Sequence, residues 1–259
     1  MKEDTGMTGR KPPVPILLPV RSVLFLLTFV IGAAIVGKSV DEIGNWWSVV
    51  ATVMNILVIL LLFFVAKKDG KSYGEMINYR KGATKAKDVV IMSLISVFVG
   101  MGCMYLAGLV LYGSIFPPVS LKMVAPIGKP LAILNVLLLP LTVPFAEDGL
   151  YLGYGVNRIA ERGGEMANES KTKWMAIAIP AFFYALQHCF IPTMFDVKYM
   201  VYRFLSFLPL TVIYCINYYK KRNPVPIMVG HGILDLATAM MIFATSVFPG
   251  VYDELAGMM

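Results

Sequence analysis

Charge is scarce in this chain of 259 residues: 15% are Asp, Glu, Lys or Arg, against 58% hydrophobic. That balance excludes an ordinary soluble domain, in which about a quarter of residues are charged. Cysteine is limited to Cys103, Cys189 and Cys215, all inside apolar stretches and with no C-x-x-C spacing. A disulfide framework and a zinc knot are therefore excluded. A nucleophilic Cys189 is disfavoured too, because adjacent helix positions point about 100° apart and its neighbour His188 faces elsewhere. No internal repeat is visible, and charged groups within apolar stretches occur only in the second half, which disfavours a transporter built from inverted repeats. A compact apolar region followed by a small-residue cleavage site is also missing near the start, so no cleavable signal is expected.

What is present is apolar sequence, with a mean hydropathy of +0.70. A spanning helix needs about 20 largely apolar residues, and seven stretches qualify, near 20–37, 47–66, 89–113, 131–156, 174–193, 199–218 and 224–249. The sequence predicts an all-α, polytopic membrane helix bundle of about seven transmembrane helices. Residues 1–19 form a polar, proline-broken cytoplasmic tail and 20–259 the transmembrane domain. The first stretch is the shortest and carries Gly32 and Gly37, so a tilted or interfacial course is open to it. Of 23 basic residues, about 18 fall in the tail and the even-numbered loops, Arg21 among them, which places the N-terminus in the cytoplasm. The net charge of +7 then reflects loops beside anionic lipid rather than a nucleic-acid partner. Multi-pass residence in the plasma membrane is expected if the cell is prokaryotic. In the loop from Ala66 to Asp88, residues 73–79 are expected to lie along the surface as an amphipathic turn.

Both histidines, His188 and His231, and three acids, Glu147, Asp148 and Asp235, lie within these stretches. An ionisable side chain at bilayer depth costs roughly 2.5–3.5 kcal/mol on insertion scales, so such groups pair, bind an ion or carry chemistry. Pro140 and Pro144 precede the acids and are expected to bend that helix. Tyr184 and His188 share a face at i, i+4, as do His231 and Asp235. At about 1.5 Å rise per residue, Glu147 lies roughly 14 Å below the cytoplasmic face, His188 about 21 Å, His231 about 10 Å and Asp235 about 16 Å. Four side chains from three helices are thus expected to meet in one layer. Asp148 faces about 100° away from Glu147 and is expected to support a neighbouring helix or to join the chemistry. Gly149 and Gly153 make a small-x-x-x-small pair suited to close helix packing. Tyr151 and Tyr184 are expected as wall or hydrogen-bonding residues.

The order acidic pair, aromatic-x-x-x-His, then His-x-x-x-Asp on successive apolar helices resembles the CAAX prenyl endopeptidase and bacteriocin-processing (CPBP, or Abi) family of intramembrane proteases, over roughly residues 130–240. The family pattern is commonly Glu-Glu-x-x-x-Arg, Phe-x-x-x-His and His-x-x-x-Asn or Asp. Here the second Glu is Asp148, the Arg is Leu152 and the Phe is Tyr184. The resemblance implies a hydrolase acting on a hydrophobic or lipid-anchored peptide, a prenylated C-terminus being one case. Glu147, His188, His231 and Asp235, with Asp148, inherit the functional positions.

Two catalytic centres are compatible with these residue types. In the metal-free one, which the resemblance slightly favours, Glu147 and His188 deprotonate a water and His231 stabilises the oxyanion. In the other, Glu147, His188, His231 and Asp235 bind Zn²⁺, which lowers the pKa of its bound water to about 7. Asp235 complicates either, because an ionised carboxylate repels an oxyanion. A noncatalytic bacteriocin-immunity or scaffold protein is the alternative, and an ion-coupled transporter using the same groups as a relay is a third reading.

Overall fold

The computed structural model describes residues 15–163 and 169–259. Among the described residues the chain is helical throughout, with no β-strand: α1 (Val20–Val36), the one-turn α2 (Val40–Ile43), α3 (Trp47–Lys68), the one-turn α4 (Tyr73–Met76), α5 (Ala86–Tyr112), α6 (Lys129–Asp148), α7 (Asn157–Gly163), α8 (Glu169–Gln187), α9 (Val197–Lys221), α10 (Val225–Val247) and α11 (Val251–Met258). Short 3₁₀ turns cover Gly44–Trp46 and Pro118–Val124, and a π-helix, Gly149–Val156, links α6 to α7.

Each apolar stretch read from the sequence is largely helical, the fifth, 174–193, leaving the helix after Gln187. Five helical segments among the described residues are long and apolar enough to cross a membrane, at Val40–Lys68, Ala86–Tyr112, Lys129–Arg162, Val197–Lys221 and Val225–Val247. Helix α1 has 17 residues, about 26 Å of rise, and α8 opens on the charged run Glu-Ser-Lys-Thr-Lys. Large apolar side chains such as Leu60, Phe64, Phe98, Val110, Leu137 and Leu141 face outward. A soluble monomer does not tolerate apolar faces of that extent; an integral membrane protein turns them to lipid.

Two basic residues leave the loops to which their charge would assign them. Arg21 is fully buried, and Arg203 is buried at 2% exposure, so both belong to the bundle interior rather than to either face. Of the tail read over 1–19, residues 1–14 lie outside the described residues. Residues 16–19 form a turn, and Leu18 is buried in the main core.

Helix α10 packs along α6 and α5, while α8 packs on α9, α5 on α9 and α3 on α6; α1 touches α3 and α8. Helix α6 runs through Pro140 and Pro144 without ending. Each proline lacks an N–H and so frees a carbonyl one turn back. The backbone of α10 at Gly232 packs against one of these, the Pro140 carbonyl.

The segment 73–79 departs from a surface turn. Ser72 and Glu75 form a capping box that starts α4, and hydrogen bonds from the Ser72 backbone N–H and hydroxyl hold the Glu75 carboxyl below its ordinary range. Tyr73, Met76 and Ile77 are buried, and the Tyr73 hydroxyl donates to the Phe145 carbonyl at 2.5 Å. This re-entrant turn, rather than another long helix, fills the groove left by the glycine pair. A Cβ on Gly149 would meet the Tyr73 hydroxyl at 2.5 Å, and one on Gly153 would meet Ile77 Cγ2 at 2.6 Å.

Overpacking of this kind costs about 1–3 kcal/mol. Gly153→Ala is expected to lower the unfolding free energy in detergent by that amount. Gly102→Ala, where an added Cβ meets nothing within 4 Å, is expected to be neutral or stabilising by up to about 1 kcal/mol. Equal effects at the two positions would sink the close-packing account.

Candidate active site

The site is built around the end of α6. Glu147 and Asp148 are its last two residues, and the fully buried π-helix begins at the next one. A π-turn spaces side chains differently from an α-turn and is frequent at functional sites. Here it follows the two acids directly, which point to different partners.

Glu147 faces α1 and the end of α8. Its Oε1 accepts from Arg21 Nη2 at 2.7 Å and its Oε2 from Gln187 Nε2 at 2.7 Å. Arg21 also donates from Nε to Gln187 Oε1 at 2.6 Å and from Nη1 to Asn55 Oδ1. The two amides are oriented in turn. Asn55 Nδ2 donates to Thr142 Oγ1 at 3.0 Å, and the Tyr151 hydroxyl donates to Gln187 Oε1 at 3.1 Å. Each oxygen is thereby aimed at the guanidinium, and the buried charge pair is hydrogen-bonded on both sides, as a charge removed from water requires.

Asp148 faces α8 and α10. The Tyr184 hydroxyl donates to Asp148 Oδ1 at 2.8 Å, and its oxygen lies 3.0 Å from His231 Nδ1. With the hydroxyl proton given to Asp148, the oxygen is left to accept Nδ1–H, which puts a proton on that nitrogen. Asp148 Oδ2 stands 3.4 Å from the same nitrogen. His231 Nε2 then faces two carboxylates, Glu147 Oε2 at 3.9 Å and Asp235 Oδ2 at 3.4 Å. That Asp235 oxygen is buried without a hydrogen-bond partner.

His188 takes a different place. It follows the last residue of α8 in a turn, is bonded through Nδ1 to the Tyr184 carbonyl at 2.9 Å, and stacks on Phe207 with ring centroids 3.6 Å apart. Carbonyls only accept, so Nδ1 carries the proton and Nε2 keeps its lone pair. Among the described residues no bond joins His188 to Glu147.

Glu147, Asp148 and Asp235 thus converge on His231, with Tyr184 bridging Asp148 and His231 and His188 at their border. The four side chains named for zinc are not gathered as a ligand set. Among the described residues no group of three or more His, Cys, Asp and Glu side chains is placed to hold a metal ion. Cys189 is buried, with its thiol donating to the Met200 carbonyl at 3.3 Å.

Three members of the site, Arg21, Asn55 and Gln187, are absent from the constellation read in the sequence. Asn55 carried a signal, as a carboxamide inside an apolar stretch with no local use for it. Arg21 was masked by its position at the end of a span, where basic residues ordinarily face water.

Residues 129–237 match a family model described as Rce1-like, Type II CAAX prenyl endopeptidase Rce1-like. No curated protein and no solved structure matches the chain. The matched segment holds Glu147, Asp148, Tyr184, Gln187, His188, His231 and Asp235. Arg21 and Asn55 lie outside it.

Removing one partner of a buried ion pair costs about 3–5 kcal/mol, because the other charge is left uncompensated. Arg21→Met is expected to lose stability on that scale in denaturant unfolding of the detergent-solubilised protein. Arg21→Met with Glu147→Gln is expected to lose clearly less than the single change. Additive losses would show that the two side chains are not coupled.

Proposed function

We propose that this chain is an intramembrane endopeptidase of the CAAX type, which hydrolyses a peptide bond of a hydrophobic or lipid-anchored substrate from the cytoplasmic side of the bilayer. The observation that carries the reading is the convergence on His231 Nε2 of two carboxylate oxygens, Glu147 Oε2 at 3.9 Å and Asp235 Oδ2 at 3.4 Å. It combines a carboxylate, an imidazole nitrogen and an open acceptor, the groups that amide hydrolysis uses, in a water-poor interior.

In this mechanism Glu147 takes a proton from water, whose oxygen attacks the scissile carbonyl carbon. His188 Nε2, left free by the Nδ1 bond, accepts the second hydrogen of that water and orients it. The developing oxyanion accepts a hydrogen bond from His231 Nε2–H, the ring carrying a proton on each nitrogen, with Nδ1–H held by Tyr184 and Asp148 and Nε2–H facing the Glu147 and Asp235 carboxylates. As the C–N bond breaks, the departing amine takes the proton that Glu147 holds. Asp148 and Tyr184 work one step back: they hold Nδ1–H and so fix which imidazole nitrogen faces the substrate. Asp235 need not oppose the oxyanion, because its unpartnered Oδ2 is an acceptor suited to a substrate backbone N–H. Arg21, Gln187 and Asn55 hold the Glu147 carboxylate in place and balance its charge. The reading runs entirely through the side chains present, without zinc.

The test is cleavage of prenylated and unprenylated peptides by purified protein in nanodiscs, with bound metal assayed on the same sample. Glu147→Gln keeps the shape of the side chain while removing the base, and is expected to lower kcat by 10²–10⁴-fold, the usual contribution of a general base. Tyr184→Phe removes the bridge to His231 and is expected to lower kcat by a smaller factor with KM little changed. Cleavage by wild type that survives in Glu147→Gln would eliminate the mechanism. Biological effect retained by the Glu147→Gln protein would favour an immunity or scaffold role, and stoichiometric zinc required for turnover would replace the metal-free centre.

A further inference from the structure

The second buried arginine has no carboxylate. Arg203 donates from Nε and Nη2 to the Ile191 carbonyl at 3.1 and 2.8 Å, and from Nη1 to the Met123 sulfur at 2.9 Å. No acidic group lies within ion-pair distance of it among the described residues. A guanidinium has five N–H donors and stays charged. A thioether is a weak acceptor, so Met123 holds a place on Arg203 that an anionic oxygen would fill far better. Met123 is also flexible, with three rotatable bonds.

That arginine sits one side chain behind a cavity. The cavity has a volume of about 540 Å³ between α5, α9, α10 and the turn before α6, and its walls include Met123, Phe207, Asp235, Thr238 and Met241. Phe207 connects the two ends of the argument. The Arg203 guanidinium packs over its ring at 4.8 Å, and His188 stacks on the same ring at 3.6 Å. Together these distances place the guanidinium within roughly 8.5 Å of the His188 ring, close to the roughly 10 Å that three extended residues span. Among the described residues Asp235 is the one acidic side chain lining the cavity. It stands beside His231, at 3.4 Å from Nε2, where it repels a free carboxylate from the neighbourhood of His231 and Glu147.

We infer that Arg203 anchors the C-terminal carboxylate of the substrate, with Met123 swinging aside, so that the cavity holds the two or three apolar residues that follow the scissile bond. The inference rests on the peptidase reading for the position of that bond. It makes the chain selective for peptides that end shortly after the cleaved residue, and Arg203 the residue that reads the end.

The probe is a farnesylated peptide ending in cysteine and three further residues, made as the free acid, as the C-terminal amide, and with two residues added. Binding is measured in nanodiscs in the Glu147→Gln background, where turnover is slowed by about two to four orders of magnitude, and cleavage in the otherwise unchanged chain. The free acid is expected to bind at least tenfold tighter than the amide or the extended peptide, the scale of a charge-assisted hydrogen bond. Arg203→Gln is expected to collapse that preference and Arg203→Lys to restore part of it. Met123→Glu, which supplies a carboxylate from within, is expected to abolish it with the arginine in place. Equal binding of acid and amide overturns the inference without any variant, and so does a preference that survives Met123→Glu. Cleavage without an acid preference would remove the anchor and leave the peptidase standing. An acid preference without cleavage of any peptide would do the reverse.

Discussion

The ion pair between Arg21 and Glu147 is the contact on which the rest of the site depends. Placing a carboxylate at the end of α6, inside a bundle with lipid outside, is unfavourable unless its charge is met there. The guanidinium meets it from a helix that touches the bundle at few places, and Asn55 and Gln187 fix the remaining donors. Because Gln187 bonds both members of the pair, the same network pins the end of α8. The next residue is His188, so the placement of one histidine follows from the neutralisation of one acid.

The turn after the acids explains how neighbouring carboxylates serve different tasks. Glu147 and Asp148 diverge by about 100° on a helix, which separates a carboxylate aimed at α1 and α8 from one aimed at α8 and α10. Immediately afterwards the chain enters a fully buried π-helix. That segment can be buried on all sides because it is rich in glycine, and the re-entrant turn at Tyr73 and Ile77 sits on the faces those glycines leave flat. The Tyr73 hydroxyl also takes the Phe145 carbonyl, so the loop satisfies backbone at a depth where water does not.

Much of the bundle was legible in the sequence, because a span of some 20 apolar residues is a direct physical requirement of the bilayer and leaves little freedom. The ends of α3, α5, α9 and α10 agree to within three residues, while α8 starts five residues earlier and ends six earlier than its stretch and the fourth stretch divides into α6 and the π-helix. Depth was legible in part: counting about 1.5 Å per residue put Glu147, His188, His231 and Asp235 in one layer, and Glu147 and Asp235 do meet at His231, whereas His188 turns to the Tyr184 carbonyl and Phe207. The partners across helices were harder to read. Arg21 looks like a loop charge because its neighbours in sequence are a proline-rich tail; its role depends on where α1 lies against α3 and α8, which no periodicity encodes. The glycine pair was read correctly as a close approach, but its occupant comes from a one-turn helix too short to show a pattern.

Leu152 bears on both arginines. The resemblance puts an arginine at that position, one turn beyond the acids, where here a leucine is buried in the apolar core. The acids have not lost a cation, since Arg21 reaches Glu147 from another helix. That exchange leaves only one of the two buried guanidiniums committed to a carboxylate. Arg203, bonded to a carbonyl and a thioether, carries the larger unmet charge, and its desolvation is offset by neutral acceptors and the Phe207 face alone. A cation kept in that state gains more from an incoming carboxylate than one already paired, because the cost of burying it has been met in the free protein. The same low-polarity surroundings that make Arg203 costly in isolation make it selective for a free carboxylate over a neutral amide.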